Sequence, residues 1–392
     1  MYKVYFLFPT NSPLVFKPKY GGGSGLYLYQ LSTNLSKRGV DTHVIANLAT
    51  KNDALVKLHH VDFSGNLILR NMRYLSKLYE VVDNESIVIV FDQAFGGLMP
   101  VILKKLKNVK MLFHTINHYP WLDDKKEVNP RLYWPILKTV VKTVDLVVVG
   151  NNLLKESIVK RGGISEDKVI IIPPILSLEE PEREAKVDIR SKYKIKDDEK
   201  IILFVGRIVP HKGITDILKA AAQLKPKSRK YKFFLVGPRN SSFSLNGKDK
   251  PTKFYWEMLD LAKRLGLEDS LIFTGSVSRE ELHSFYREAD LFIFPSYKEG
   301  FGLAVLEAMS YGKPIIVYNH PPLNYIITKS TGILVPPGDI EELARAIAYL
   351  LDNVDIATKL GLNAYERFRE NFTVEAVIDK WIALFESLTG GS

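Results

Sequence analysis

Two glutamates separated by eight positions, Glu299 and Glu307, are the residues whose type and spacing best suit chemistry. They lie within residues 295–314, where the sequence predicts the end of a buried strand, a turn with two glycines and a helix carrying Glu307 in its second turn. The first N–H groups of a helix have no intrahelical acceptor, and the helix dipole favours an anion beside them. Carboxylates near that point can accept hydrogen bonds from hydroxyl groups. The segment therefore predicts a site for an anionic ligand that carries hydroxyl groups.

A cation pair, Arg207 and Lys212, follows the predicted strand at residues 200–205. This position is the carboxyl edge of the predicted sheet, where ligands of open α/β sheets bind. Two cations at that edge can neutralise a diphosphate. The alternative is a pair of solvated surface side chains.

Two features of the first half suit a ligand less specifically. The glycines of residues 20–25 lie between the first strand and its helix, where they would let the backbone approach a phosphate. They match neither a dinucleotide fingerprint nor a Walker loop, and a flexible surface turn is the alternative. His114 ends the fourth strand and could bind a sugar hydroxyl, unless it is a core histidine whose ring nitrogens are satisfied.

A further candidate lies at residues 275–282, after another predicted strand. The backbone of Val277 could contact a nucleobase there. Ser278 and Glu281 have the spacing of a helix capping box, which explains most of this segment without any ligand.

The elements that position these residues follow an alternating pattern. Strands are predicted at residues 4–9, 42–47, 86–91, 110–115, 145–149 and 168–172, then at 200–205, 231–236, 271–274, 290–294, 314–318 and 332–335. Segments with helical periodicity lie between them, which favours parallel sheets covered on both faces. We expect an α/β fold of two Rossmann-like doubly wound domains, residues 1–175 and 200–372, that face a central cleft. A charged segment, residues 176–199, suits a linker.

Composition sets further limits. The net charge is +10, and residues 1–175 hold 23 Lys/Arg against 14 Asp/Glu, so the first half is expected to meet something anionic. An anionic membrane surface is one candidate and a solvated basic face the alternative, while no motif supports nucleic acid. The absence of cysteine excludes disulfides and thiolate chemistry. With no signal peptide pattern and no apolar run of ~18 residues, we expect a cytoplasmic protein, and the composition favours a thermophilic source.

The chain resembles the retaining glycosyltransferases of family 4, which have the GT-B fold. The segment from Glu299 to Glu307 is similar to the family's E-x7-E signature, and the motifs at residues 205–213, 235–237, 273–275 and 332–339 follow in family order. Residues 22–39 are similar to the family's opening, and three consecutive glycines stand here at residues 21–23. The resemblance implies that a C-terminal helix, about residues 373–388, packs back onto the first, acceptor-side domain.

The resemblance also implies roles for individual residues. Arg207 and Lys212 would bind the donor diphosphate, Glu307 the ribose hydroxyls and Glu299 the donor sugar. His114 would contact the sugar near the reacting carbon. The implied catalytic set is Arg207, Lys212, Glu299 and His114. The implied donor-binding set is Gly22, Gly23, Gly206, Val277, Gly300, Phe301, Gly302, Leu303 and Glu307.

The implied activity is transfer of a hexosyl unit from a nucleotide-diphosphate sugar to a hydroxyl of a glycan or a lipid-linked or anionic acceptor, with the anomeric configuration retained. No metal and no cofactor are expected, since the sequence lacks D-x-D and H-E-x-x-H motifs. Two alternatives remain: a sugar-nucleotide epimerase of the same fold, and a non-catalytic sugar-nucleotide-binding protein. We also expect peripheral association with the cytoplasmic membrane face as a candidate location.

Overall fold

The computed structural model describes residues 2–8, 14, 16, 23–50, 52–91, 98–116, 130–176, 187–224, 231–239 and 251–390. These residues group into two compact units. The first unit contains the described residues up to 175 together with 373–390, and the second contains those of 176–372.

The first unit is built on a parallel sheet of seven strands among the described residues. They are β1 (Lys3–Phe8), β2 (Asp41–Ala46), β3 (Lys57–His60), β4 (Ile87–Phe91), β5 (Lys110–Thr115), β6 (Leu146–Val149) and β7 (Val169–Ile171). Their order across the sheet is β3-β2-β1-β4-β5-β6-β7. The central strands are apolar runs that are buried along their length, as in β4, because helices cover both faces.

Helices of the first unit connect these strands. They are α1 (Gly23–Lys37), α2 (Leu67–Val81), α3 (Met99–Leu106), α4 (Pro130–Thr143) and α5 (Asn152–Gly162). The last helix of the chain belongs to this unit as well; it runs from Val374 to Thr389 and packs against α1. An ion pair of 2.6 Å joins Arg38, just after α1, to Asp379 of that last helix.

The second unit contains a parallel sheet of six strands among its described residues. They are β8 (Lys200–Val205), β9 (Tyr231–Val236), β10 (Leu271–Gly275), β11 (Leu291–Phe294), β12 (Ile315–Tyr318) and β13 (Ile333–Val335). The helices are α6 (Ile189–Lys192), α7 (Ile214–Leu224), α8 (Lys253–Arg264), α9 (Arg279–Glu288), α10 (Leu303–Ser310), α11 (Leu323–Ile326), α12 (Ile340–Asp352) and α13 (Val354–Asn371), so the last helix of the chain is α14.

Strand order in the second sheet is β10-β9-β8-β11-β12-β13. The chain moves outward from β8 to β10 and then returns to place β11 on the other side of β8. Such a reversal creates a switch point, outside whose carboxyl ends ligands of doubly wound sheets bind. The segments that follow β8 and β11 therefore define the candidate site.

The predicted alternation is confirmed, because each of the twelve predicted strands lies within one residue of an observed one. The additional strand, β3, is short and mostly exposed, and it pairs with β2 at the edge of the sheet, so it lacks the apolar run that marks central strands. Part of the predicted linker also differs: residues 187–199 belong to the second unit. Tyr193 packs there against Phe234 and Phe285, which fixes this segment to the unit.

Candidate active site

Lys212 follows β8 in a single 3-10 turn, Pro210–Lys212, that ends at Gly213. Gly213 has a φ of +71°, and a Cβ atom there would lie 2.0 Å from the carbonyl oxygen of Pro295. Both the left-handed backbone and this close approach require glycine. The turn that carries Lys212 is consequently packed against the end of β11, where the segment leading to Glu299 begins.

Lys212 and Glu299 form a buried ion pair. The Lys212 Nζ atom donates to Glu299 Oε2, while the N–H group of Gly300 donates to Oε1 over 3.0 Å. The side chains are 9% and 15% exposed, so both charges are largely withdrawn from water. The ammonium also lies 5.0 Å from the ring centroid of Phe294. The arrangement fixes a cation at the sheet edge and holds it against one carboxylate.

Helix α10 begins directly after this pair. Gly302 caps it with a φ of +98°, and Leu303 is its first helical residue. The N–H groups of the first turn of a helix point out of its N-terminus and attract anions. The Phe301 side chain is buried and packs against Tyr325 and Phe372, so this residue offers its backbone and not its ring to the site.

Glu307 lies in the second turn of α10 and is 8% exposed. Its Oε2 atom accepts a hydrogen bond of 2.8 Å from the hydroxyl of Tyr286, which is fully buried on α9. Burial and the charge of Glu307 raise the pKa of Tyr286, so this hydroxyl stays protonated and donates. The Glu307 carboxylate is thereby held in one orientation, the arrangement that recognition of paired hydroxyl groups needs.

A buried carboxylate supports the same region from α7. Asp216 lies in the first turn of α7, and its Oδ2 atom accepts hydrogen bonds of 2.6 Å from both Tyr297 and Tyr318. Tyr297 belongs to the segment between β11 and Glu299, and Tyr318 ends β12. One carboxylate therefore ties together three segments around the Lys212–Glu299 pair.

The positive charge of the region acts on His211. Burial, together with the charges of Lys212 and Arg207, lowers the pKa of His211 to about 4. The imidazole is therefore neutral at neutral pH. Arg207 is half-buried, three residues before the turn that carries Lys212. The structure thus places the two predicted cations on the same loop.

Two other predicted donor-binding residues lie at neighbouring strand ends. Gly206 follows β8 and donates its N–H to Val236 over 2.9 Å. Gly237 approaches Gly206 so closely that a Cβ on Gly237 would lie 2.1 Å from the Gly206 carbonyl oxygen. Val277 is half-buried after β10, next to the N-cap of α9.

That cap is seen in the structure. The Ser278 hydroxyl accepts a hydrogen bond from the N–H of Glu281 over 3.2 Å. The Glu281 carboxylate binds Lys192 and Tyr193. The Ser278 half of the predicted capping box is therefore confirmed, whereas the Glu281 carboxylate binds other residues. The Val277 contact with a base stays a prediction.

His114 is buried in the first unit with both ring nitrogens bonded. Nδ1 donates to the Val148 carbonyl over 3.0 Å, and Nε2 accepts from the Tyr27 hydroxyl over 2.9 Å. The rings of Phe91 and Trp381 lie edge-on at 5.1 and 5.0 Å. Burial lowers the pKa of His114 to about 4, so the ring is neutral. These contacts favour the core-histidine alternative, and contact of His114 with a donor sugar stays a prediction.

The predicted glycine loop is described in part. Gly23 is the first residue of α1, so the glycine cluster leads directly into a helix N-terminus. Gly22 lies outside the described residues. Within the part of the chain that the structure describes, no three His, Cys, Asp or Glu side chains converge in a way that suits a metal ion.

Several residues of the site were missed in the sequence: Asp216, Tyr286, Tyr297 and Tyr318. Asp216 carries a weak signal, since it is an acidic residue in the first turn of a helix four positions after Lys212. The tyrosines carry none, because their hydroxyl partners belong to other elements far away in the sequence.

Comparison with known proteins shows to which protein family the chain belongs. A family model described as glycosyl transferases group 1 matches residues 186–367, and one described as glycosyltransferase family 4 matches residues 21–180. The chain belongs to the family 4 glycosyltransferases of the GT-B fold. It is an enzyme of the transferase class. Two Rossmann-like units with parallel sheets are the fold of this family.

Curated relatives are similar over most of their length. The chain is 26% identical to the trehalose synthase of Pyrococcus horikoshii over 384 residues, which covers 95% of this chain and 88% of the relative. It is also 26% identical to the D-inositol 3-phosphate glycosyltransferase of Mycobacteroides abscessus, over 84% of this chain and 77% of the relative.

Solved structures are similar in fold. Sucrose-phosphate synthase from Thermosynechococcus elongatus has a TM-score of 0.81 at 22% identity, and each chain is covered over 100% of its length. HepE of Anabaena, solved in complex with UDP-glucose, has a TM-score of 0.73 at 16% identity, covering 98% of this chain and 99% of HepE. None of the described helices combines the length and apolar character needed to cross a membrane.

Proposed function

We propose that this glycosyltransferase moves a hexosyl unit from a nucleoside diphosphate sugar to a hydroxyl of a glycan or a lipid-linked acceptor. The anomeric configuration is retained, and no metal ion is required. The observation that supports the donor site is the buried Lys212–Glu299 pair at the switch point of the second sheet, next to the N-terminus of α10. A fixed cation and outward N–H groups suit a diphosphate, and Glu307 suits the ribose hydroxyls.

In this proposal the bond between the anomeric carbon and the phosphate oxygen breaks while the acceptor oxygen attacks the same face. The acceptor proton passes to the departing phosphate oxygen. Negative charge grows on that phosphate, and Lys212 with Arg207 stabilises it where water is largely excluded. A preorganised cation pair takes the part that a divalent metal plays in other transferases.

Uridine is the first base to test. HepE was solved with UDP-glucose, and the TarM structure, which also resembles this fold, contains UDP. We propose glucose or one of its isomers as the donor sugar.

We also propose that the first unit binds the acceptor. The excess of nine positive charges in residues 1–175 and a relative named for D-inositol 3-phosphate both favour an anionic acceptor, including one at an anionic membrane surface. Cytoplasmic location and thermophilic source stay predictions.

The test is a thermal-shift screen with UDP, GDP, ADP and CMP and their sugar conjugates, with and without EDTA. Stabilisation by one nucleoside diphosphate that survives EDTA is expected. Turnover with a panel of hydroxylic acceptors then follows, with the anomeric configuration of the product read from proton NMR couplings. An inverted product would refute retention, and loss of activity in EDTA would refute metal independence. Binding without turnover would favour the non-catalytic alternative, and an isomerised sugar nucleotide the epimerase.

A further inference from the structure

Helix α2 buries one face in the first unit. Tyr74 and Leu78 on that face are fully buried and belong to the hydrophobic core of the unit. The N-terminus of α2 is capped by Asn66, whose side chain accepts from the N–H of Leu69 over 3.0 Å. The buried face and the N-cap hold the helix in place, and its remaining surface faces away from the core of its unit.

One strip of that remaining surface is apolar, although exposed Arg73, Ser76 and Glu80 lie beside it. Ile68, Met72, Leu75 and Tyr79 follow one another at spacings of four, three and four residues, which places them on one side of a helix. We call these four residues the outer stripe. Ile68 is 71% exposed, Met72 63% and Tyr79 56%. Solvated helix faces normally carry polar side chains, so an apolar face on an already anchored helix indicates a contact surface.

Exposed apolar side chains are concentrated in this part of the described chain. Leu67 and Leu69 flank the outer stripe on α2 and are 57% and 48% exposed. The neighbouring helix α3 packs against α2 and ends at Leu106, which is 55% exposed. The apolar surface therefore extends from α2 onto the end of α3.

Cationic side chains surround this apolar surface. Residues 67–81 and 98–110 contain seven Lys/Arg and one Asp/Glu. The ammonium of Lys107 lies 4.8 Å from the ring centroid of Tyr79. Lys105, two positions before Lys107 in the sequence, is exposed. The acidic residue of this region, Glu80, is paired with Lys77 over 2.9 Å. Arg73 and Lys104 are paired as well, with Asp62 and Asp145 outside these two ranges, so the positive charge beside the stripe comes chiefly from Lys105, Lys107 and Lys110.

We propose that the outer stripe, with Lys105 and Lys107, is a docking surface for an anionic lipid bilayer. Apolar side chains on one side of a surface helix enter the region between headgroups and acyl chains, and nearby lysines contact anionic headgroups. Tyrosine suits the same depth because its ring is apolar and its hydroxyl polar. This inference rests on the proposed function in one respect, since it names the residues by which the first unit would meet an anionic membrane surface. Vesicle binding tests it, whereas turnover and nucleotide binding test the transfer reaction.

Co-sedimentation with vesicles tests the proposal. The full chain is mixed with vesicles of phosphatidylcholine containing phosphatidylglycerol, and with phosphatidylcholine vesicles. We expect binding to the anionic vesicles, weakened by salt, and at least about tenfold weaker partition to the neutral ones. Replacing Ile68, Met72 and Tyr79 together by serine is expected to weaken binding to anionic vesicles by at least about tenfold.

Matched controls keep the test specific. Trp256, Tyr349 and Leu362 are comparably exposed at 58%, 47% and 58% but lie in the second unit, and their replacement by serine is expected to leave vesicle binding unchanged. Circular dichroism melts and UDP-induced thermal shifts check that each triple variant is folded.

A charge variant tests the headgroup contact separately. Lys105→Gln with Lys107→Gln is expected to weaken binding to anionic vesicles several-fold and to reduce its dependence on salt. Lys253→Gln with Lys263→Gln removes two cations from α8 as the control. No binding of wild-type protein to anionic vesicles would overturn the proposal, as would equal losses in both triple variants. A wild-type dimer in light scattering that the stripe variant abolishes would also overturn it, because a second copy would then cover the stripe.

Discussion

Lys212 and His114 are both polar residues at the carboxyl ends of parallel strands, and the comparison between them contrasts a candidate functional position with a position packed in the core. Lys212 lies in the turn after β8, where its ammonium meets the carboxylate of Glu299. His114 lies within β5, where its ring meets a backbone carbonyl, a tyrosine hydroxyl and two aromatic rings. Each is buried, yet their partners differ in kind.

The difference follows from strand geometry. Side chains within a strand point to one face of the sheet or the other, and in a doubly wound unit helices cover both faces. His114 therefore points into a layer formed by α1 and α14, which supply Tyr27 and Trp381. A residue beyond the strand end is not bound by that alternation and can point along the edge. Residues of the turns are consequently better candidates for chemistry than those of the last strand positions.

The largest effect is expected from Lys212→Ala. The change removes the buried cation and leaves the Glu299 carboxylate without this partner, so kcat/KM should fall by about 10²–10³-fold. Steady-state kinetics with the donor identified by the thermal-shift screen measures this. Lys219→Ala removes an exposed lysine from the following helix and serves as the control. Near-wild-type turnover in the Lys212 variant would show that Lys212 is not needed for transfer, and the contrast with His114 would then fail.

At His114 we instead expect an effect on the free energy of unfolding and on its dependence on pH. Because the folded-state pKa of His114 is about 4 and the unfolded value about 6.5, the unfolded chain takes up a proton that the folded chain excludes. The stability from the neutral ring is complete above about pH 6.5 and is lost as pH falls towards 4, by up to roughly 3 kcal/mol.

Urea unfolding of His114→Gln measures this contribution, because glutamine keeps polar atoms but does not titrate. We expect the variant to be less stable at neutral pH and to lose less stability on acidification than wild type, while UDP binding is preserved. The control His60→Gln changes an exposed histidine of the same unit. A variant of normal stability with lost turnover would restore the catalytic interpretation of His114.

A smaller effect is expected at Glu307. Glu307→Gln keeps the shape of the side chain but removes the charge that Tyr286 stabilises, and we expect the Kd of the nucleoside diphosphate to rise about tenfold. Tyr286→Phe removes one hydrogen bond to that carboxylate and should raise Kd by less. Isothermal titration calorimetry compares both with Tyr349→Phe, an exposed tyrosine in the same unit. Unchanged affinity in Glu307→Gln would remove Glu307 from the donor site.

The smallest effect is expected at Tyr318. Tyr318→Phe removes one of the two hydrogen bonds to Asp216, a loss of about 0.5–1.5 kcal/mol. Since Asp216 positions the segment leading to Glu299 without being predicted to contact the donor, kcat should fall a few-fold while KM changes little. Asp216→Asn should have a larger effect in the same direction. A change confined to melting temperature would show that the network supports the fold and not the site.

Much of the fold was predictable from the sequence, because the parallel strands are mostly apolar runs of three to six residues separated by helices. The edge strand β3 was missed for the opposite reason. Its residues Lys57–His60 are mostly polar, since one side of an edge strand faces solvent.

The candidate site was predictable where local sequence determines local structure. The glycines at 213 and 302 mark a tight turn and a helix start, and the charged residues beside them lie within a few positions. Asp216 binding to Tyr318 joins residues 102 positions apart, which only the assembled sheet brings together. For His114, its position in the sequence indicated a strand end, but not that Tyr27 and Val148 would satisfy both ring nitrogens.

Helix α14 has a consequence for the order in which the protein forms on the ribosome. Trp381 and Phe385 are fully buried in the first unit, where Trp381 lies against His114 and Phe385 against Tyr2. The unit that is synthesised first therefore lacks part of its core until α14 has been synthesised. The described strands of the second unit, β8 to β13, all precede α14 in the chain. During translation, the first unit can therefore complete its core only after the second unit has been synthesised.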